Sequence, residues 1–343
     1  MLKLTKTILQ KTSPHPRVYS AIQPTGVPHL GNYLGAIKNW SDMSEKSTLI
    51  NKDKYIFALA DLHAMTISYD KNNFHQTILE TAASLIASGL DPTEKCILYR
   101  QSHVKQHSEL YYLLSCFVNR SELQDMTTWK QKKLQHGESK FGLFVYPVLM
   151  TADILLFRPD LIPVGDDNDQ NMQLCRNVVK RFNNKYAKSK KFKEKKLIIP
   201  KTVYSKVPRV KSLTSPSKKM SKSDPDKNSC IILSDNSDQI KEKVMKHAVL
   251  DENGVENMKL ICRSLDIDNE NLLEINFNND DTEKFRQHSC DILVEKLGPI
   301  TKKFNHLMQN PDYLEKILKD GKEQAEEIAE RELEIIKRLI LMI

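Results

Sequence analysis

Four short apolar runs, each followed by a stretch of helical periodicity, constrain this chain more than any other feature. They are "RVYSAI" from Arg17, "KYIFALAD" ending at Asp61, "KCILYRQS" from Lys95 and "DLIPVGDD" from Asp160. Each has the length and the β-branched or aromatic content of a strand. Between and after them, "LGNYLGAIKNW", "FHQTILETAASLIASGL", "ELYYLLSCFV", "LQDMTTWKQKKL", "FGLFVYPVLMTADILLF" and "NDQNMQLCRNVVKRFNN" repeat apolar residues at helical spacing. Gly89 and the Asp91–Pro92 pair close the second of these helices. Strands alternating with helices predict an α/β fold with a parallel sheet and crossover connections from Arg17 to about Tyr186.

After Pro200 the texture changes. "SLTSPSKKMSKSDPDKNS" is rich in Ser, Lys and Pro and predicts a mobile loop. From Gln239 the pattern is helical, in "DQIKEKVMKHAV", "TEKFRQHSCDILVEKLGPITKKFNHLMQ" and "PDYLEKILKDGKEQAEEIAERELEIIKRLILMI". The 343 residues suffice for such a second unit. The expected division is a leader over 1–16, a catalytic domain over 17–215, a loop over 216–235 and a helical domain over 236–343.

At 40% hydrophobic and 28% charged, the composition is that of a soluble globular protein. No apolar run reaches the ~18 residues that a membrane span needs. The cysteines at 96, 116, 175, 230, 262 and 290 form no CxxC pair or zinc spacing, so reduced thiols in an intracellular compartment are expected. The formal charge is +8, and Lys180–Lys222 carries a dense basic run with Glu194 as its only acid. A charge run is ordinarily a solvated surface; its functional reading is a polyanion partner such as nucleic acid. No acid precedes Asp42, and "MLKLTKTILQK" has the basic, acid-free character of an organellar transit peptide.

In an open parallel sheet, ligands bind outside the carboxyl ends of the strands. The turn after "RVYSAI" therefore belongs to the site. Gly26 and Gly31 permit a tight turn and close approach of backbone to ligand. The helix beginning near Leu30 offers free N–H groups suited to a phosphate. The stretch is neither a P-loop nor a dinucleotide fingerprint; His29 and Asn32 supply donors instead. His103 and His107 stand four residues apart but lack a third ligand, so no metal site is expected.

"PHLGN" (Pro28–Asn32) resembles the HIGH signature of class I aminoacyl-tRNA synthetases, with Asn32 in place of the second histidine. "KMSKS" (Lys219–Ser223) matches their second signature letter for letter. With "IQPTG…HLGNYLGAI", "YPVLMTADILLF" and "VGDD", the resemblance to the tryptophanyl-tRNA synthetases, the organellar ones above all, covers nearly the whole chain.

That resemblance implies a Rossmann-like catalytic domain followed by a helical, anticodon-facing domain. It also implies ATP with Mg2+, L-tryptophan and tRNA(Trp) as partners, a homodimer and residence in the mitochondrial matrix. Asn32, Lys132, Lys219 and Lys222 are the implied catalytic residues, with Lys130 a neighbour of Lys132. Gln23, Pro24, Thr25, His29, Gly31 and Asn32 would line the nucleotide, together with Met220, Ser221 and Ser223 of the signature loop. Gly165, Asp166 and Asp167 would face the ribose, and Val210 the adenine. The tryptophan slot would comprise Tyr19, His63, Tyr146, Met150, Asp153, Ile154, Val164 and Asn168. Tyr146, Met150 and Asp153 share a helix face by spacing alone. An acid inside "VLMTADILLF" reads either as a paired acid at a helix end or, by the resemblance, as the acceptor for the indole N–H.

Two positions depart from the family pattern: Ala21 stands where glycine is usual, and Asn168 where glutamine is usual, followed near Asn171 by a missing histidine. Both bear on tryptophan affinity. The alternatives are a tyrosyl-tRNA synthetase, a non-catalytic RNA-binding paralogue, which would be expected to lose the phosphate-directed lysines, and a nucleotidyltransferase that acts without tRNA.

Overall fold

The computed structural model describes residues 16–45, 52–66, 69–130, 140–188, 196–205, 207, 209–265 and 279–341. Its centre is a sheet of five strands: β1 (Val18–Ile22), β2 (Tyr55–Leu59), β3 (Ile97–Arg100), β4 (Leu161–Val164) and β5 (Lys201–Tyr204). All pairings are parallel, in the order β3-β2-β1-β4-β5. The chain runs outward from β1 to β3, then restarts on the other side of β1 with β4. The reversal leaves a crevice at the carboxyl ends of β1 and β4, where such sheets take their ligands.

The crossovers are helical. Helix α1 (Leu30–Asn32) passes through a π-helical turn, Tyr33–Ile37, into α2 (Lys38–Glu45). Then come α3 (Asp61–Ala64), α4 (Phe74–Ala87), α5 (Gln106–Ser115), α6 (Arg120–Gln124), α7 (Phe141–Leu155) and α8 (Asp169–Tyr186). Beyond the sheet follow α9 (Ser237–Glu242), α10 (Glu252–Leu265), α11 (Asn279–Met308) and α12 (Pro311–Leu341).

The period of two along each strand divides the core into two layers. Val18, Tyr55, Phe57, Leu59 and Leu98 pack on one face with Leu34, Trp40 and the inner sides of α4 and α11. Tyr19, Ile56, Ala58, Ile97 and Tyr99 pack on the other with residues of α5, α7, α8 and α12. Strand β2 is buried at all five positions, as a strand covered on both faces must be.

Two elements go beyond the sequence reading. Strand β5 sits at the sheet edge with exposed ends and half-buried centre, so "KTVY" carries no apolar run to announce it. Helix α10 hides its apolar stripe of Val255, Met258, Ile261 and Cys262 in a polar segment that opens with Gly254.

The last helix also closes the sheet. Leu314, Ile317 and Leu318 of α12 join the first layer, whereas Ala325, Ile328, Ala329, Leu333, Ile336 and Leu339 join the second. Helix α12 thus lies along the outer edge of β3 and covers the strand edge that would otherwise be open. Its approach is so close that a Cβ on Gly321 would fall 1.9 Å from the Leu98 carbonyl oxygen. Gly321→Ala must push helix and strand apart, which at the upper end of overpacking costs is about 2–3 kcal/mol. Thermal unfolding followed by circular dichroism should show the midpoint fall by roughly 3–4 °C; an unmoved midpoint would mean that helix and strand lie further apart than this.

Candidate active site

The turn between β1 and α1 is built by reciprocal capping. His29 Nδ1 accepts from the Asn32 backbone N–H at 3.3 Å, and Asn32 Oδ1 accepts from the His29 N–H at 3.2 Å. Two free donors at the helix start are satisfied in this way. The His29 ring folds back over Gly31, where a Cβ would lie 2.9 Å from its Cε1. Any side chain there would displace the ring. Gly26 takes a left-handed φ of +89° at the tip of the turn, a conformation that favours glycine.

Burial foremost, and then the ammonium charges of Lys219 and Lys222, push the His29 imidazole down to about 4. It is neutral at pH 7, with Nδ1 as acceptor and the proton on Nε2. The unfolded chain, near the ordinary 6.5, binds this proton first as pH falls. Between 6.5 and 4 the unfolded state therefore gains protons that the folded state lacks, and stability falls with pH across that window. His29→Asn retains a capping acceptor but cannot titrate. It should flatten this part of a plot of melting temperature against pH, and superimposable plots would refute the shift.

The loop carrying Lys219–Ser223 lies against the same turn. Leu30 N–H donates to Ile231 O at 2.8 Å, and Leu233 N–H to Pro28 O at 3.0 Å, so the segment after the loop is fastened to the "PHLGN" backbone. Met220 is buried and its N–H donates to Val210 O at 3.1 Å. Val210 is itself buried, and its Cβ lies 3.6 Å from where a Gly31 Cβ would stand. Lys222 Nζ donates to Thr25 O at 2.5 Å and to Val27 O at 3.1 Å, joining residues 197 and 195 apart in sequence. Partial burial lowers its ammonium pKa, and Glu80 opposes that shift. Lys219 is exposed at the loop's leading edge, and the Ser221 and Ser223 hydroxyls pair with each other at 3.0 Å.

Across the crevice, the turn after β4 carries Gly165 and a 3-10 turn, Asp166–Asn168, that leads into α8. Asn168 Nδ2 donates to Asp167 Oδ1, and Asn171 Nδ2 to Asn168 Oδ1, both at 3.1 Å. Lys132 lies outside the described residues, as do residues 1–15 and 189–195.

The acid inside α7 is held by three side chains. Asp153 is 2% exposed. Its Oδ1 accepts from His107 Nδ1 at 2.6 Å and its Oδ2 from His63 Nε2 at 2.7 Å; Gln101 Nε2 reaches both oxygens at 2.8 Å. Burial works to raise its pKa, but the donors of His107 and His63 outweigh it and hold the carboxyl below the usual range. Asp153 is thus an ionised, fully buried acceptor. Tyr146 turns the edge of its ring to His63 at 6.1 Å between centroids, and its hydroxyl pairs with Thr128 Oγ1 at 2.9 Å. Tyr19 stacks on Phe157 at 5.2 Å. Ile154 is buried, whereas Met150 and Val164 are half-buried.

Tyr19 stands near the start of β1, Val164 at the end of β4, His63 in α3, and Tyr146, Met150, Asp153 and Ile154 along α7; the structure joins His63 to Asp153 and sets Tyr146 beside His63. The sequence reading did not foresee Gln101, His107 and Tyr99 behind Asp153. The available signal was "YRQSHVKQH" at the carboxyl end of β3, where polar residues in a buried segment require partners. His103 and His107 share no ligand: His107 is taken up by Asp153 and Tyr99. Among the described residues no group of three or more metal-ligating side chains exists, and no helix is long and apolar enough to cross a membrane.

A corner of capped backbone is joined by a lysine loop, and a buried carboxylate held by two histidines and a glutamine stands in α7. The chain also resembles known proteins. Residues 11–295 match the family model described as tRNA synthetases class I (W and Y). The mitochondrial tryptophan–tRNA ligase of Schizosaccharomyces pombe is 35% identical, over 95% of this chain and 94% of its own. Tryptophanyl-tRNA synthetase from Mycoplasma pneumoniae superposes with a TM-score of 0.79 at 30% identity, covering 95% of this chain and 97% of that one. The Campylobacter jejuni enzyme, in complex with ADP and tryptophan, gives 0.75 at 28% identity, over 94% of this chain and 99% of that one. The chain belongs to the class I aminoacyl-tRNA synthetases, as a member of their tryptophanyl-tRNA synthetase branch.

Proposed function

We propose that the crevice between β1 and β4 is where this ligase joins L-tryptophan to ATP and then passes the tryptophanyl group to tRNA(Trp). A carboxylate oxygen of tryptophan attacks the α-phosphorus, the bond to the bridging oxygen breaks, and pyrophosphate leaves. A ribose hydroxyl of the tRNA's terminal adenosine then attacks the activated carbonyl, and AMP leaves. Such transfers depend on positioning and charge neutralisation. Gln23, Pro24, Thr25, Gly31 and Asn32 line the nucleotide, and the Nε2–H of His29 is the donor left free for a phosphate. Gly165, Asp166 and Asp167 take the ribose, and Val210 the adenine. Lys219, Lys222 and Lys132 neutralise the departing pyrophosphate. Magnesium enters with the triphosphate.

The observation that carries this reading is the Lys222 ammonium seated on the Thr25 and Val27 carbonyls. It brings the two signature segments to one point, and the lysine is exchangeable from carbonyls to phosphate when the loop moves. Asp153 accepts the indole N–H, and Tyr19, His63, Tyr146, Met150, Ile154 and Val164 enclose the ring. Asn168 holds the ammonium through a reach shorter than glutamine's, its Oδ1 being shared with Asn171. Tryptophan-dependent exchange of pyrophosphate into ATP is the test. Exchange with tyrosine alone would overturn the specificity, and none with either amino acid would favour a non-catalytic RNA-binding role.

The helices of 236–343 and the basic Lys180–Lys196 stretch are the proposed tRNA contacts. We place the enzyme in the mitochondrial matrix, on the basic leader and on mitochondrial relatives such as that of S. pombe. Fusion of residues 1–16 to a reporter tests that address, and a cytosolic reporter would refute it. The functional unit is a homodimer. Tyr112 on α5 and Phe141 on the adjoining α7 are 69% and 71% exposed, and the Phe141 ring lies 6.2 Å from Phe144, which pairs with Trp129. Exposed aromatics of this kind support an interaction surface. Replacing both with Asp should convert a dimer to a monomer in analytical ultracentrifugation, and a monomeric parent protein would remove the proposal.

A further inference from the structure

We propose that His107, which lies behind Asp153 and out of reach of substrate, is a positioning residue for tryptophan selection: it locks the Asp153 carboxylate as a fixed acceptor for the indole N–H. The inference rests on the reading that Asp153 takes that N–H.

The protons in this cluster have one consistent arrangement. His107 is fully buried, with Asp153 Oδ1 at 2.6 Å from Nδ1 and the Tyr99 hydroxyl at 2.8 Å from Nε2. An ionised carboxylate only accepts, so Nδ1 carries the proton. The Tyr99 hydroxyl closes the other side of the ring at Nε2, and burial pushes its phenol well above its ordinary pKa, so Tyr99 stays protonated. Tyr99 thus backs His107, and His107 backs Asp153, in one buried chain of hydrogen bonds.

Gln101 supports the same oxygen pair. Its Oε1 accepts from the Leu62 N–H at 3.1 Å, which orients the amide so that Nε2 faces Asp153. Gln101 and His107 are both fully buried. His63, at 7% exposure and edge-on to Tyr146, approaches Oδ2 from the slot side. The grip on the carboxylate is therefore asymmetric: two buried donors from behind, one from the substrate side. A tryptophan indole enters from the side of His63 and shares or takes over the contact with Oδ2. Without His107, Oδ1 loses its strongest partner, the carboxylate is free to turn about its last torsion, and burial drives it towards the protonated form. A protonated acid turns one oxygen into a donor and offers the indole N–H only a neutral, weaker acceptor.

The test compares tryptophan with its benzothiophene isostere, 3-(1-benzothiophen-3-yl)alanine, in which sulfur replaces the indole N–H. Pyrophosphate exchange is measured for the whole enzyme. His107→Leu should raise KM for tryptophan about 30-fold, the size of a lost charge-assisted hydrogen bond, with a smaller change in kcat. For the isostere KM should move by less than about 3-fold. His107→Asn places an amide donor near the position of Nδ1–H and should restore most of the preference for tryptophan. Tyr99→Phe, which keeps the ring and removes only the hydroxyl behind His107, should cost part of it. Equal losses for both substrates, or no recovery in His107→Asn, would overturn the proposal. Asp153→Ala, which removes the acceptor altogether, separates the two claims. If it leaves the preference for tryptophan over the isostere intact, the indole contact fails and this inference with it. If it abolishes that preference while His107→Leu and Tyr99→Phe retain it, only the role of His107 fails.

Discussion

Asp153→Ala is expected to lower kcat/KM for tryptophan about 1,000-fold in pyrophosphate exchange, with KM for ATP within about 3-fold of the parent. The reasoning starts from burial. Asp153 is 2% exposed and receives donors from three side chains. Its loss removes the proposed acceptor for the indole N–H, about 1.5–3 kcal/mol for a hydrogen bond to a charged group. It also strands His63, His107 and Gln101 without their shared partner. Those donors line or support the slot, so the remaining apolar walls lose their placement as well. The preference for tryptophan over phenylalanine should collapse, because the proposed acceptor that only an indole N–H can use is gone. The proposed ATP corner is fastened separately, through the capped turn and the Ile231 and Leu233 backbone. An unchanged preference for tryptophan over phenylalanine would exclude the indole contact.

Lys222→Ala should slow adenylate formation about 100-fold while leaving tryptophan binding nearly intact. The Lys222 ammonium hovers over the turn at Gly26, 3.5 Å from where a Cβ would stand, with its hydrogen bonds on Thr25 and Val27 carbonyls. Carbonyl contacts of this kind contribute little beyond what water offers, so the lysine gives them up readily to a phosphate. Charge on that phosphate grows as pyrophosphate departs, and the interaction is then stronger in the transition state than in the ground state. Single-turnover measurement of adenylate formation, with tryptophan affinity from fluorescence titration, separates the two quantities. Equal loss of both would argue against a transition-state role.

Some features of this protein follow from local sequence alone. The strand and helix pattern is local, because a period of two or of 3.6 needs only neighbours to be read. "RVYSAI", "KYIFALAD", "KCILYRQS" and "DLIPVGDD" each contain the strand predicted there, and the parallel arrangement follows from the helices between them. "PHLGN" and "KMSKS" named the family because turn chemistry and a lysine loop are also local.

Tertiary structure decided whatever depends on distant partners. Strand β5 exists because β4 offers it an edge, not because "KTVY" is apolar. Gly321 looks like a defect within α12 until Leu98 is found against it, 223 positions earlier in the chain. His107 reads as a stray histidine until the fold brings Asp153 within 2.6 Å of one ring nitrogen and Tyr99 within 2.8 Å of the other. Burial is the physical reason in each case. A buried polar group or close backbone contact is defined by what surrounds it, and those surroundings come from segments that no local window contains.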